Sequence, residues 1–273
     1  MTLLIVGGSG FLGAELVRQA TAAGHATVAT YATKPVEAAQ ATWRALDLTK
    51  AAYADEVVTE LRPRLIINAA SNRDDWTVTA QAPIRLAMAA AQHRSRLVHV
   101  SSDAIFSGAR THYDLSCQPD PVTSYGAAKA AAETGVLTVH PEAVVARTSL
   151  IIGKGSSVHE RLVHQLAAGS PGALYTDDIR CPVAVEDLAA GILELAESDA
   201  SGIHHLAGAD AVSRHELGVL IARRDGLDAT GISAGLRAGS LPGGLDVRLD
   251  SRTTQQKLRT TLRGAREFCA EPA

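Results

Sequence analysis

Short apolar runs alternate with amphipathic, alanine-rich segments through the first half of the chain. The runs are typical of buried strands, and the segments between them have helical spacing. Strands are predicted at residues 3–6, 26–30, 43–47, 65–68, 96–101 and 143–146, and helices at 14–22, 53–61, 83–92 and 124–139. Apolar strands separated by helices indicate a parallel sheet covered on both faces, so we expect a Rossmann-type doubly wound α/β fold.

The pattern becomes less regular after Ile152. Gly153, Gly155, Gly169 and Pro171 interrupt the following segment, before an amphipathic helix at 185–197 and a strand at 203–206. We therefore expect residues 1–150 to form one domain and residues 151–273 to form mostly a small C-terminal lobe. Residues 183–206 are the exception, because their helix and strand resemble the units of the first domain and are expected to return to its sheet.

Composition narrows the class of protein. The chain of 273 residues is 46% hydrophobic and 20% charged, a balance that excludes bulk disorder. The net charge of −3 gives no electrostatic reason to expect nucleic acid or an anionic membrane as a partner. No apolar stretch approaches the roughly 20 residues that span a bilayer, and the three cysteines are widely spaced. We expect a soluble cytoplasmic protein.

A glycine-rich sequence joins the first predicted strand to the first predicted helix. It follows the spacing GxxGxxG and comprises Gly7, Gly8, Ser9, Gly10, Phe11, Leu12 and Gly13. Gly7 permits a tight turn, Gly10 lets a pyrophosphate approach the backbone, and Gly13 allows close packing of helix on strand. The helix N-terminus offers unpaired N–H groups and a favourable dipole for phosphate. We therefore predict a dinucleotide site here that includes Ser9, Phe11 and Leu12.

The second strand bears on the choice between NAD and NADP. An acid at its end would bind the ribose 2′-hydroxyl and select NAD, but this segment contains Thr30 and Lys34 and no carboxylate. NADP(H) is therefore the preferred cofactor, with NAD(H) as the alternative. Further cofactor contacts are expected from residues that follow the third and fourth strands, namely Asp47, Leu48, Ala69, Ala70 and Ser71.

Tyr125 and Lys129 are four residues apart on a predicted helix and therefore face the same side. A tyrosine hydroxyl can protonate a carbonyl oxygen while hydride arrives at its carbon, and a nearby ammonium is expected to lower the tyrosine pKa. The ammonium can also bind the nicotinamide ribose. The fifth strand ends in Ser101-Ser102, where a serine hydroxyl could hold the carbonyl. The combination predicts a carbonyl reductase.

Together these motifs resemble the extended short-chain dehydrogenase/reductases, and more narrowly their dTDP-4-dehydrorhamnose reductase branch. The resemblance rests on GGSGFLG at 7–13, NAA at 68–70, VSSDAIFSG at 100–108, YGAAK at 125–129 and RTS at 147–149. It implies a catalytic triad of Ser102, Tyr125 and Lys129, with Ser102 chosen over Ser101 because Asp103 follows it. It also implies a dinucleotide-binding domain at 1–150, a substrate-binding lobe in most of 151–273, and a nucleotide-linked 4-keto-6-deoxy sugar as substrate.

The chain departs from this branch at positions toward the substrate. Ala104 and Leu150 stand where the branch often has aromatic residues, and Leu115 replaces a usual acid near Tyr113. These changes leave the identity of the sugar open. Two alternatives also stay open: an epimerase or dehydratase that keeps NAD bound, and a non-catalytic regulatory subunit that retains the cofactor.

The remaining candidates concern the substrate, metals and assembly. We expect Ser102, Asp103 and Tyr125 to face the substrate, and Arg180 in the C-terminal lobe to meet its diphosphate. Asp177-Asp178 is interpreted as a solvated loop. None of the ten histidines shows a metal-binding spacing, so no metal is expected. A homodimer is compatible with the sequence.

Overall fold

A parallel sheet organises the computed structural model, which describes residues 2–36, 41–239 and 242–271. The strands are β1 (Thr2–Val6), β2 (Ala26–Tyr31), β3 (Thr42–Ala45), β4 (Leu65–Asn68), β5 (Arg96–Ser102), β6 (His112–Tyr113), β7 (Val144–Thr148), β8 (Ile151–Ile152), β9 (Leu174–Tyr175), β10 (Ile179–Arg180), β11 (Val183–Ala184), β12 (Gly202–Leu206), β13 (Val212–Ser213), β14 (Ala234–Gly235) and β15 (Arg248–Leu249). Seven of them form one sheet in the order β12-β7-β5-β4-β1-β2-β3, with all neighbours parallel.

Helices cover both faces of this sheet. They are α1 (Phe11–Ala22), α2 (Tyr53–Leu61), α3 (Ala82–Gln92), α4 (Ser124–Val139), α5 (Val158–Ala167), α6 (Val185–Glu197), α7 (Arg214–Arg224), α8 (Arg252–Gln255) and α9 (Ala265–Phe268). A π-helical turn spans Thr77–Gln81, and 3-10 turns span Asp103–Ile105 and Ala229–Gly231. Apolar residues of α1 and α6 pack on one face, and those of α2, α3 and α4 pack on the other. The predicted doubly wound α/β fold is confirmed.

The segment after Ile152 builds a separate apolar cluster. Val163 of α5 and Ile221 of α7 pack there with Leu174 and Phe268. Short two-residue ladders join this part of the chain, such as β10 with β13 and β14 with β9. The helix α6 instead packs in the core with α1, and β12 pairs with β7 at the edge of the main sheet. Residues 185–206 therefore rejoin the sheet, whereas β11 pairs with β8 outside it.

Candidate active site

The glycine loop forms a tight turn between β1 and α1. Gly7 has a φ of +80°, a left-handed conformation that favours glycine, and its carbonyl accepts a hydrogen bond from the Gly10 N–H at 3.0 Å. A Cβ on Gly13 would lie 2.0 Å from the Gly7 carbonyl oxygen, so only glycine lets α1 begin this close to the loop. No side chain caps the N-terminus of α1, whose first N–H groups are thus available to a phosphate.

Thr30 supports this loop from the end of β2. Its hydroxyl accepts a hydrogen bond from the Gly7 N–H at 3.0 Å, and its carbonyl accepts one from the Ser9 N–H at 3.3 Å. The Thr30 hydroxyl therefore holds the glycine loop, a role that the sequence did not indicate. Thr30 would therefore affect cofactor binding indirectly, by ordering the glycine loop.

The other predicted cofactor residues lie at the same carboxyl edge of the sheet. The Ala70 N–H donates to the Asn68 Oδ1 at 3.2 Å, and a Cβ on Gly7 would lie 2.7 Å from the Ala70 nitrogen. The backbone after β4 is therefore pressed against the glycine loop. Asp47 follows β3 with an exposed carboxylate that accepts hydrogen bonds from Thr49, while Leu48 packs partly into the core.

The helix α4 carries Tyr125 and Lys129 to this edge. Thr123 caps its N-terminus by accepting a hydrogen bond from the Gly126 N–H at 3.0 Å. A Cβ on Gly126 would lie 2.1 Å from the Ala104 carbonyl oxygen, so the glycine lets α4 approach the 3-10 turn after β5. Lys129 is buried, and its Nζ donates to the Val100 carbonyl at 2.8 Å. Burial lowers the pKa of Lys129 to about 8, although Glu133 opposes the change.

Ser102 ends β5 beside Tyr125. Its hydroxyl accepts from the Ala104 N–H and donates to the Asp103 carboxylate, both at 3.2 Å. Burial raises the pKa of Tyr125 above its ordinary value, although the Ser71 hydroxyl, the Arg73 guanidinium and the Ser102 hydroxyl lower it. We expected a net lowering by Lys129, and this expectation is wrong for the ligand-free protein because burial dominates. A raised pKa keeps the Tyr125 hydroxyl protonated, as a proton donor requires.

A cleft of about 1080 Å³ opens in front of these groups. Five of the predicted site residues line it: Phe11, Ser102, Asp103, Tyr125 and Arg180. Lys129 is buried and is not one of the lining residues. The carboxylate of Asp103 accepts from the Ser149 hydroxyl at 2.7 Å and faces the Arg180 guanidinium at 3.5 Å.

The cleft also contains a cluster of arginines around Asp178, of which the sequence had indicated only Arg180. Asp178 is buried and pairs with Arg180 at 2.7 Å, Arg237 at 3.1 Å and Arg214 at 3.4 Å. The interpretation of Asp178 as a solvated loop residue is wrong, because its carboxylate is shared by three guanidinium groups. No spacing in the sequence could have joined these residues, which come from distant segments.

In the described part of the chain, no group of three or more His, Cys, Asp and Glu side chains could hold a metal ion. Across the same residues, no helix has the length and apolar character needed to cross a membrane.

Comparison with known proteins identifies the family. A family model described as the RmlD substrate binding domain matches residues 1–262. The chain belongs to this family. A probable low-salt glycan biosynthesis reductase from Haloferax volcanii is 28% identical over 87% of this chain and 85% of its own length. A probable dTDP-4,6-dihydroxy-2-methyloxan-3-one 4-ketoreductase from Streptomyces antibioticus is 32% identical over 71% of this chain and 66% of its own length.

Solved structures show the same RmlD-like fold. A hypothetical dTDP-4-dehydrorhamnose reductase from Sulfolobus tokodaii has a TM-score of 0.84 at 27% identity, covering 96% of this chain and 97% of its own. A Bacillus anthracis dTDP-4-dehydrorhamnose reductase in complex with NADP has a TM-score of 0.85 at 21% identity, covering 98% and 97%. MoeE5 in complex with UDP-glucuronic acid and NAD has a TM-score of 0.85 at 22% identity, covering 100% and 97%.

These findings confirm the predicted family and the predicted class of enzyme, an NAD(P)-dependent oxidoreductase of the short-chain dehydrogenase/reductase type. The two cofactors expected from the sequence, NADP and NAD, each occur in one of the RmlD-like structures above. In this RmlD family member, the structure brings Ser102 and Tyr125 together at the cleft and places Lys129 one helical turn behind.

Proposed function

We propose that this protein is an NADP(H)-dependent reductase of a nucleotide-linked 4-keto-6-deoxy sugar. The observation that carries the proposal is the placement of Ser102 and Tyr125 in the lining of one cleft, which Phe11 of the glycine loop also lines. The names of the relatives support the reaction, since the Streptomyces antibioticus relative is a probable 4-ketoreductase of a dTDP-linked sugar and the Haloferax volcanii relative is a probable reductase of glycan biosynthesis. NAD(H) is the alternative cofactor.

The glycine loop fits the pyrophosphate of a dinucleotide. The uncapped N-terminus of α1 offers N–H groups to the phosphates. The positive φ of Gly7 allows the tight turn that joins β1 to this helix end. Ser9, Gly10 and Leu12 would complete this cradle, with Asp47 and Leu48 toward the adenosine and Ala69, Ala70 and Ser71 beneath the cofactor. When bound, the nicotinamide supplies the hydride.

The side chains of the cleft supply the rest of the reaction. Tyr125 donates its hydroxyl proton to the oxygen of the sugar carbonyl, and Ser102 orients that oxygen by turning its hydroxyl from Asp103 to the substrate. Lys129 is available to hold the nicotinamide ribose, since its Nζ has only the Val100 carbonyl as a partner among the described residues. Because its pKa is raised, Tyr125 is protonated at neutral pH but is a weaker acid than an exposed tyrosine, so proton donation requires stabilisation of the phenolate.

The arginine cluster suits the diphosphate of the substrate. The three guanidinium groups around Asp178 are balanced by only two carboxylates of the described residues, those of Asp178 and Asp103, so positive charge exceeds negative charge here. Arg180 would meet the diphosphate, as expected from the sequence. We also propose that residues 1–150 form the dinucleotide-binding domain and residues 151–273, apart from 183–206, mostly form the substrate lobe.

A substrate panel tests the function. Purified protein is mixed with NADPH or NADH and with dTDP- and UDP-linked 4-keto sugars, and cofactor absorbance is followed. Consumption of NADPH with dTDP-4-keto-6-deoxyglucose supports the proposal. Conversion of a sugar nucleotide without net NADPH consumption would indicate an epimerase or dehydratase, and cofactor binding without any turnover would indicate a regulatory subunit.

A homodimer stays a prediction, which light scattering of the purified protein tests.

A further inference from the structure

Arg73 lies directly over the ring of Tyr125. Its guanidinium carbon is 4.8 Å from the ring centroid, within the range of a cation–π contact. Arg73 follows β4 and lines the same cleft as Ser102 and Tyr125. Two segments more than 50 residues apart along the chain therefore place a cation against the face of the proton donor.

Arg73 differs from three other arginines of the cleft, while a fifth, Arg161, has the Ser156 carbonyl as its hydrogen-bond partner. Arg180, Arg214 and Arg237 each pair with the carboxylate of Asp178. None of the carboxylates in residues 2–36, 41–239 and 242–271 forms an ion pair with Arg73, and its side chain is exposed to the cleft. Its charge is therefore directed at the Tyr125 ring and not cancelled by a protein partner.

The contact becomes stronger when Tyr125 loses its proton. A neutral phenol attracts a guanidinium through its ring quadrupole alone, whereas a phenolate adds a full negative charge. The other charged groups near Tyr125 are Asp103, which disfavours the phenolate, and Lys129 on the same helix, whose Nζ is bound to the Val100 carbonyl. Arg73 is thus the cation placed to stabilise the product of proton donation.

We propose that Arg73 is a positioning residue that holds the Tyr125 ring by stacking on it and stabilises the phenolate formed when Tyr125 gives its proton to the substrate oxygen. The O–H bond of Tyr125 breaks, the proton joins the oxygen of the former carbonyl, and solvent later returns a proton to the phenolate. This role rests on the proposed reductase function, but its main effect is measurable without substrate.

The test is a spectroscopic titration of Tyr125 in the ligand-free protein. Tyrosinate absorbance is recorded against pH in the wild type and in Arg73→Gln, and the same curves from partners that also carry Tyr125→Phe are subtracted. We expect the Tyr125 pKa to rise in Arg73→Gln by about 0.5, roughly a threefold change in the ionisation constant. Arg73→Lys should restore most of the change.

Arg223→Gln is the matched control, because it removes one exposed arginine at the end of α7 that does not line the cleft. It should leave the Tyr125 titration unchanged. An identical Tyr125 titration in folded Arg73→Gln would overturn the proposal, whether or not turnover falls. If the wild type reduces no sugar nucleotide but the Tyr125 titration still shifts in Arg73→Gln, the proposed reductase function is rejected, whereas the proposed effect of Arg73 on Tyr125 is supported.

Kinetics give a second readout if the reductase function holds. Arg73→Gln should lower kcat more than it raises KM, and it should move the pH dependence of kcat/KM in the direction of the Tyr125 titration. A rise in KM alone, with kcat and the pH profile unchanged, would show that Arg73 binds substrate and does not act through Tyr125.

Discussion

Arg147 and Glu133 form a buried ion pair one helical turn beyond Lys129. The guanidinium donates to the carboxylate at 2.8, 3.1 and 3.1 Å, and the side chains are only 1% and 4% exposed. Arg147 also lies 5.2 Å from the Phe106 ring centroid. The pair ties β7 to α4 and so fixes the helix that carries Tyr125 and Lys129.

Removing one partner of this pair should strongly destabilise the protein. Glu133→Gln leaves the Arg147 charge buried without its counter-ion, so the free energy of unfolding should fall by about 3–5 kcal/mol. Urea unfolding measures the change. The double variant Arg147→Met/Glu133→Leu should recover much of it, because no isolated charge is left. A Glu133→Gln protein as stable as the wild type would contradict this account.

Asp178→Asn tests the arginine cluster in the same way. Three guanidinium groups lose their shared carboxylate, so the free energy of unfolding should fall by about 3–5 kcal/mol, as measured by urea unfolding. Asp177→Asn is the matched control. Its partly exposed carboxylate accepts backbone hydrogen bonds from Arg237 and Ala238, one on each oxygen. An amide keeps one of them, so this variant loses one exposed hydrogen bond but leaves the Asp178 ion pairs intact and should destabilise the protein much less. Equal effects of the two substitutions would argue against the cluster.

Gly13→Ala should disturb the glycine loop. The added Cβ would lie 2.0 Å from the Gly7 carbonyl oxygen, so the turn must shift, at a cost of about 1–3 kcal/mol in stability. Calorimetry should show weaker NADPH binding. Gly231→Ala is the control, since its Cβ would meet nothing closer than 4.0 Å. Unchanged NADPH affinity in Gly13→Ala would mean that the cofactor does not use this loop.

The pKa of Lys129 predicts how stability depends on pH. It is about 8 in the folded protein, below its ordinary value of 10.5, because the ammonium is buried. Between these two values the unfolded chain binds more protons than the folded one, so the stability contributed by this group rises with pH. The stability of the wild type should therefore rise relative to Lys129→Met across this window. Urea unfolding of both proteins at several pH values measures it, and a constant difference would contradict the assignment.

Much of the sheet could be predicted from the sequence because its signals are local. The strand Leu65–Asn68 and the helix Ser124–Val139 have the predicted bounds, since Pro63 precedes the apolar run of the strand and Pro141 follows the helix. The two-residue strands could not be predicted. Ile179–Arg180 is a strand only because Val212–Ser213 lies beside it, and such a partner leaves no mark in the local pattern.

The same distinction holds for the site. The motifs indicated Tyr125 and Ser102, which the structure places together, because each lies within a run of recognisable spacing. Arg73 and Arg214 were missed, since tertiary structure alone brings them to the cleft. The direction of the Tyr125 pKa was also wrong, because burial is a property of the folded protein and not of the spacing to Lys129.

Reduction of a nucleotide-linked keto sugar, with Tyr125 as the proton donor, is the function that we propose for this protein. Transfer of deuterium from labelled NADPH to dTDP-4-keto-6-deoxyglucose, followed by mass spectrometry and NMR, tests it most directly. We predict deuterium at C4 of the sugar with the wild type and a rate lower by about 10²–10⁴-fold with Tyr125→Phe, whose NADPH binding should persist. No deuterium at C4, or an unchanged rate in Tyr125→Phe, would contradict the claim.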